Sequence, residues 1–183
     1  MQEVRSYSIS NIEIRDGTDG RTITGYPVVF GKPSQDLGGF VEYVDKGAFK
    51  DVSFDNVYLL YGHEFNNVLA RVDAGTLSIG VDETGVFFTA TLPNTTLAND
   101  VLENIRVGNI QGMSFGFTVA DDTWKSGNPV DVRTILKIDE LFEITLTPIP
   151  AYQDTKVAIA QRDKLQRSVE LELIELNAIE RDL

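Results

Sequence analysis

The chain has 183 residues, a length that suits one domain with a real core, and its 42% hydrophobic and 24% charged residues are ordinary for a globular protein. A net charge of −12, with sixteen scattered Lys and Arg, argues against a nucleic-acid partner, because phosphate binding needs a basic face. There is no cysteine and one histidine, His63, which excludes disulfides, zinc ribbons, thiol nucleophiles and multi-histidine metal sites. No stretch approaches the roughly 20 apolar residues of a membrane span, and the N-terminus lacks a secretory pattern, so no membrane contact and a cytosolic location are expected.

In chain order, Val4, Ile9, Ile12 and Ile14 mark two alternating stretches. Asp16-Gly17-Thr18-Asp19-Gly20 is a turn signal, and Thr22 to Phe30 reads as a returning strand, which predicts an opening hairpin. A glycine- and proline-containing loop leads to a short strand, Phe40 to Val44. Asp45 is placed to cap a short helix through Ala48, Phe49 and Val52. Val57 to Tyr61 is a dense apolar run that predicts a central strand, ending in Gly62-His63-Glu64. Two strands, about Thr76 to Val81 and Val86 to Leu92, follow around a turn at Asp82 to Gly85. Asn94 or Thr95 caps a helix whose Leu97, Val101, Leu102 and Ile105 keep helical spacing, with Gly108 at its stop.

Asn109 to Phe117 alternates as a half-buried strand, with Met113, Phe115 and Phe117 on one face and Gly112, Ser114 and Gly116 on the other. A small hydroxyl between glycines leaves a groove. Asp121 to Asp131 reads as a polar loop or flap around Trp124, and two further strands are expected, Val132 to Ile138 and Leu141 to Thr147. From about Lys164 to Leu183, Leu165, Val169, Leu173, Leu176, Ile179 and Leu183 recur at steps of three or four, which predicts a C-terminal amphipathic helix. That helix either packs on its own domain or projects to form a homodimer or higher oligomer, or to meet a scaffold.

A serine is a weak nucleophile unless a base takes its proton, and that base is usually an imidazole held by a third group. In this chain only His63 can be that imidazole, and a strand end is a rigid mount for it. The bland alternatives are a solvated strand serine and a structural histidine. Glu64, Asp139, Glu140 and Glu143 are the acidic candidates for a third member. Glu143 stands out because Leu141 to Leu146 is otherwise strongly β-like, and a charge within a sheet needs a partner or a solvated cleft.

Taken together, Gly25-Tyr26-Pro27-Val28-Val29-Phe30, Gly39-Phe40-Val41-Glu42 with Lys46-Gly47-Ala48-Phe49, the apolar strand ending in His63, Asn109 to Phe117, and Leu141 to Tyr152 form an ordered set. Over roughly residues 22 to 160 this set resembles the prohead maturation proteases of tailed bacteriophages, which are related in fold to the herpesvirus assemblin proteases. The resemblance implies an α+β, mainly β fold: a closed or nearly closed antiparallel β-barrel flanked by short helices. Residues 1–160 would form the protease domain and 161–183 a C-terminal helical extension.

It also implies a serine endopeptidase with Ser114 as nucleophile, His63 as general base and Glu143 as orienting carboxylate, needing no cofactor and no metal. Glu64 stands where the family often has Asp. Assemblins use a second histidine as third member, which this chain lacks, so a carboxylate or a bare dyad is required. The implied substrates are scaffold or the scaffold-like extension of the major capsid protein, cut inside the assembling procapsid in the host cytoplasm, with self-processing. A non-enzymatic capsid-assembly or scaffold protein on the same fold is the alternative, and a metal-dependent hydrolase a distant third.

Overall fold

The computed structural model describes residues 3–7, 13–15 and 20–148. Ten strands and one helix are laid out in the order β1 (Glu3–Tyr7), β2 (Glu13–Arg15), β3 (Thr22–Val29), β4 (Phe40–Val44), β5 (Tyr58–Tyr61), β6 (Val68–Arg71), β7 (Leu77–Val81), β8 (Gly85–Thr91), α1 (Thr96–Arg106), β9 (Gly112–Lys125) and β10 (Asp131–Thr147). They form two sheets. One is six-stranded, in the order β1-β9-β10-β5-β6 with β4 also on β10; the other is four-stranded, β2-β3-β8-β7.

This corrects the barrel expectation. Neither sheet closes on itself, and the pairing is not all antiparallel, because β4 and β5 both lie parallel to β10. The cause is the length of β10, whose first half takes β4 (Asp131 to Ile135) and whose second half takes β5 (Glu143 to Leu146) along the same edge. The chain is mainly β, with a single helix among the described residues. The flanking helix expected after Asp45 is a run of turns instead. Ala48 N–H donates to Asp45 O, Lys50 to Gly47 and Val52 to Phe49, each bond spanning three residues. The expected C-terminal helix, and with it the oligomer contact and the 161–183 extension, lies outside the described residues.

The opening hairpin is real but uses only its second half. Strand β2 pairs antiparallel with β3, whereas β1 crosses to the other sheet and pairs antiparallel with β9. The expected loop around Trp124 is strand: β9 runs to Lys125, with Trp124 opposite Arg133. Polar residues there are satisfied across the ladder, Arg133 Nε donating to Asp122 Oδ2 at 2.6 Å, and Trp124 packs on Phe40 with ring centroids 4.9 Å apart.

The core lies among the two sheets and the helix. Ile23, Val28, Phe88 and Ala90 come from the four-stranded sheet, and Phe115, Phe117, Ile135, Ile138, Leu141 and Ile144 from the larger one. Helix α1 contributes Ala98, Val101 and Leu102 and links β8 to β9. Its N-cap is Thr95, whose side chain accepts from Ala98 N at 3.2 Å. Among the described residues no helix is long and apolar enough to cross a membrane.

Candidate active site

Strand β5 places His63. The strand stays clipped to β10 through Gly62 N–H donating to Leu146 O at 3.1 Å, and the chain then turns sharply. Gly62 (φ 69°) and His63 (φ 62°) are both left-handed. Glycine adopts that conformation freely, but for a histidine it costs about 1–2 kcal/mol. The turn brings the imidazole back over β10, where Nδ1 meets Glu143 Oε1 at 2.8 Å.

Glu143 reaches that point because of a β-bulge. Leu141 lies opposite Phe117 and Glu143 opposite Gly116, so Phe142 is an extra residue on β10. The bulge reverses the phase of the strand. Leu141 and Ile144 both face the apolar core with Phe117 and Phe115, and Glu143, Thr145 and Thr147 fall on the other face. Glu143 is 2% exposed, against 29% for His63. Its second oxygen, Oε2, accepts from Thr145 Oγ1 at 2.5 Å, so both carboxylate oxygens have a donor. A carboxylate can only accept, so Nδ1 carries a proton, and in the neutral imidazole Nε2 keeps the lone pair.

Ser114 sits on β9, directly opposite Thr145, on the same face of the sheet as Thr145 and Glu143. It is fully buried, not on an open groove, because β1 lies along the other edge of β9 with Ser6 opposite Ser114. Ser114 Oγ donates to the backbone carbonyl of Arg5 at 2.7 Å. The structure thus joins His63 to Glu143 and ties Ser114 to β1. The other acidic candidates stand apart: Glu64, Asp139 and Glu140 are exposed, and Asp139 accepts from Thr118 Oγ1 at 3.3 Å.

Sequence reasoning missed Thr145, whose hydroxyl is the second anchor of Glu143. It also missed a buried charge cluster beside the site. Glu42 on β4 is fully buried and accepts from Arg5 Nε at 2.9 Å and from Arg133 Nη1 at 3.0 Å. Arg133 also grips Glu3 through both terminal nitrogens, at 2.6 and 3.0 Å, and Glu3 pairs with Arg5 in turn. Burial pushes the Glu42 carboxyl up, opposed by the two arginines. The hydrogen bond from Arg133 holds Glu3 below the usual carboxylate range and keeps Arg133 itself more firmly protonated. Glu42 and Arg133 are Cα partners, and Glu42 is the one charged residue in the otherwise apolar Phe40–Val44 strand, the signal that could have drawn attention to it.

The sequence family described as caudovirus prohead serine protease matches residues 7–168. The chain belongs to the caudovirus prohead serine proteases. Among curated proteins, none matches the chain. Among solved structures, this prohead protease is similar to the bacteriophage T4 capsid assembly protease gp21, with a TM-score of 0.47 and 10% identity over 80% of this chain and 96% of that one. The prohead protease is accordingly a protease of phage capsid maturation.

Proposed function

We propose that the chain is a serine endopeptidase in which Ser114 is the nucleophile, His63 the general base and Glu143 the carboxylate that orients it. The observation that carries this reading is the 2.8 Å contact between His63 Nδ1 and Glu143 Oε1, made by a histidine held in a left-handed conformation. Strained backbone of this kind persists where the surroundings over-determine it, and it clusters at functional sites.

In the reaction, His63 Nε2 takes the Ser114 hydroxyl proton as Oγ bonds to the scissile carbonyl carbon. Collapse of the tetrahedral adduct breaks the C–N bond, and the same proton passes from His63 to the leaving amine. Water then attacks the acyl-serine, giving its proton to His63. The ester bond breaks, the new carboxylate leaves and Ser114 recovers its proton. Glu143, fixed by Thr145, holds the tautomer that leaves Nε2 facing the reaction and stabilises the imidazolium between steps.

The proposed substrates are scaffold or the scaffold-like extension of the major capsid protein, cut inside the assembling procapsid in the host cytoplasm, and the chain itself. Mixing the purified chain with its cognate capsid precursor and mapping new termini on both by mass spectrometry tests this. Ser114→Ala should yield no new termini while keeping its far-UV circular dichroism. Normal processing by that variant would sink the assignment.

A further inference from the structure

Strand β9 has two edges. One is taken by β10 along the length that carries Ser114; among the described residues the other is taken only by the five-residue strand β1. A peptide substrate must present its backbone beside Ser114, and strand addition to a sheet edge is a general way to hold an extended peptide. The edge that serves this is the one β1 covers. In that position β1 does what a bound peptide would do. It runs antiparallel to β9, and its Arg5 carbonyl accepts the hydroxyl proton of Ser114 at 2.7 Å. With β1 in place, the Arg5 carbonyl engages that hydroxyl as an acceptor.

The side chains of β1 alternate. Val4 lies opposite Gly116, on the Ser114 face, and is 46% exposed. Arg5 lies opposite Phe115 and turns to the other face, into the buried cluster, where Glu42 takes its guanidinium while Arg133 takes the Glu3 carboxylate. Glu42 and Arg133 also bond each other at 3.0 Å, and Arg133 bonds Asp122, so neither loses all its partners when β1 departs. They form a standing pair of opposite charges able to receive an acidic and a basic side chain two positions apart.

We propose that this edge of β9 is the substrate-binding strand, that Glu42 and Arg133 are specificity residues for an extended peptide carrying an acidic residue two positions before a basic one, and that Glu3–Tyr7 is the chain's own removable occupant of that edge. The inference rests on the serine-protease reading for its chemistry, but the binding it describes is separable from cleavage. Substrate has to displace β1, so the enzyme is held back until a competing strand arrives.

The test uses the full chain and a synthetic peptide with the sequence of residues 2–8, Gln-Glu-Val-Arg-Ser-Tyr-Ser. Its control has the Glu and Arg exchanged. Measured by fluorescence anisotropy in a Ser114→Ala background, the peptide should bind a Glu3→Ala, Arg5→Ala variant about tenfold more tightly than it binds the chain with β1 unaltered, and the exchanged peptide should lose about that factor. In the active background the double variant should cleave the capsid precursor faster than wild type, with unchanged far-UV circular dichroism, and hydrogen exchange on the β9 amides should quicken until peptide is added. Equal binding of the two peptides, or equal cleavage by wild type and the double variant, would overturn the inference while leaving the protease reading intact. Peptide binding as expected, in a protein whose Ser114→Ala form still cuts the precursor, would instead overturn the serine-protease reading alone.

Discussion

Thr145→Val is the most informative single change, because it removes one hydroxyl and almost no volume. Thr145 is fully buried, and its Oγ1 donates to Oε2 of Glu143, while Oε1 of the same carboxylate faces His63. Glu143 is 2% exposed, so water has little access to replace the lost donor. A hydrogen bond to a charged group contributes about 1.5–3 kcal/mol. If the whole of it holds the carboxylate in the orientation that serves His63, turnover falls by about ten- to a hundredfold, since each ~1.4 kcal/mol is one decade in rate. The expectation is a drop in kcat of that size on a capsid-precursor peptide with KM within about twofold, because in the proposed mechanism Thr145 acts through Glu143 on the base and binds no substrate. Thr145→Ser should restore most of the rate. Urea unfolding divides the effect: any share paid in stability moves the midpoint and not kcat. Wild-type kcat and an unmoved urea midpoint for Thr145→Val would refute the role given to this hydroxyl.

At position 63 both Ala and Gly should abolish cleavage, but His63→Gly should be more stable than His63→Ala by about 1 kcal/mol, since only glycine accepts φ 62° without strain; equal denaturation midpoints would count against the strained turn. Arg133→Met leaves the buried Glu42 carboxylate without its strand partner and Glu3 with Arg5 alone, and should cost about 3–5 kcal/mol in chemical unfolding, whereas Lys137→Met in the exposed Lys137–Asp51 pair should leave the denaturation midpoint almost unmoved. Acid should loosen β1 first. The folded-state pKa of Glu3 lies below its ordinary 4.5, so its contribution is present above that value and lost as pH falls through the lower one. Glu42 is shifted the other way, so its own contribution is complete in acid and is lost as pH rises through its raised value. Amide exchange of residues 3–7, corrected for the intrinsic rate, should therefore quicken between about pH 5 and pH 3 ahead of the rest of the sheet. Protection of β1 that persists to pH 3 would contradict this.

Much of the fold was legible where local pattern rules. The strands β3, β4, β5, β7 and β8 and the Thr95-capped helix sit close to where alternation, apolar density and capping placed them. Strand β10 was not legible as one strand. Its buried residues Ile135, Ile138, Leu141 and Ile144 recur every third position, because Leu136, Asp139 and Phe142 are each extra in the ladder with β9. A period of three matches neither a regular strand nor a helix, so the segment reads as two strands with a break. The partner of β1 was illegible for another reason: pairing across more than a hundred residues leaves no local trace, whereas a nearby turn suggests a hairpin. At the site, His63 and Glu143 stood out by residue type, and the structure joins them. The left-handed turn that aims His63, the Thr145 anchor and the covering of Ser114 by β1 are tertiary facts with no signature in composition.

The extra residue at Phe142 separates two properties that strands usually bind together. Without it, Leu-Glu-Ile-Thr-Leu-Thr would alternate perfectly against β9, and every apolar residue would still meet its core neighbour. Burial therefore places no demand on that insertion. What it adds is local bend and twist in the one strand that carries Glu143 beside β5 and Thr145 beside β9. The aim of the carboxylate is set by a degree of freedom to which the core is indifferent, so the direction of the acid toward the imidazole can be retuned through backbone curvature alone, with the packing beneath it left as it is.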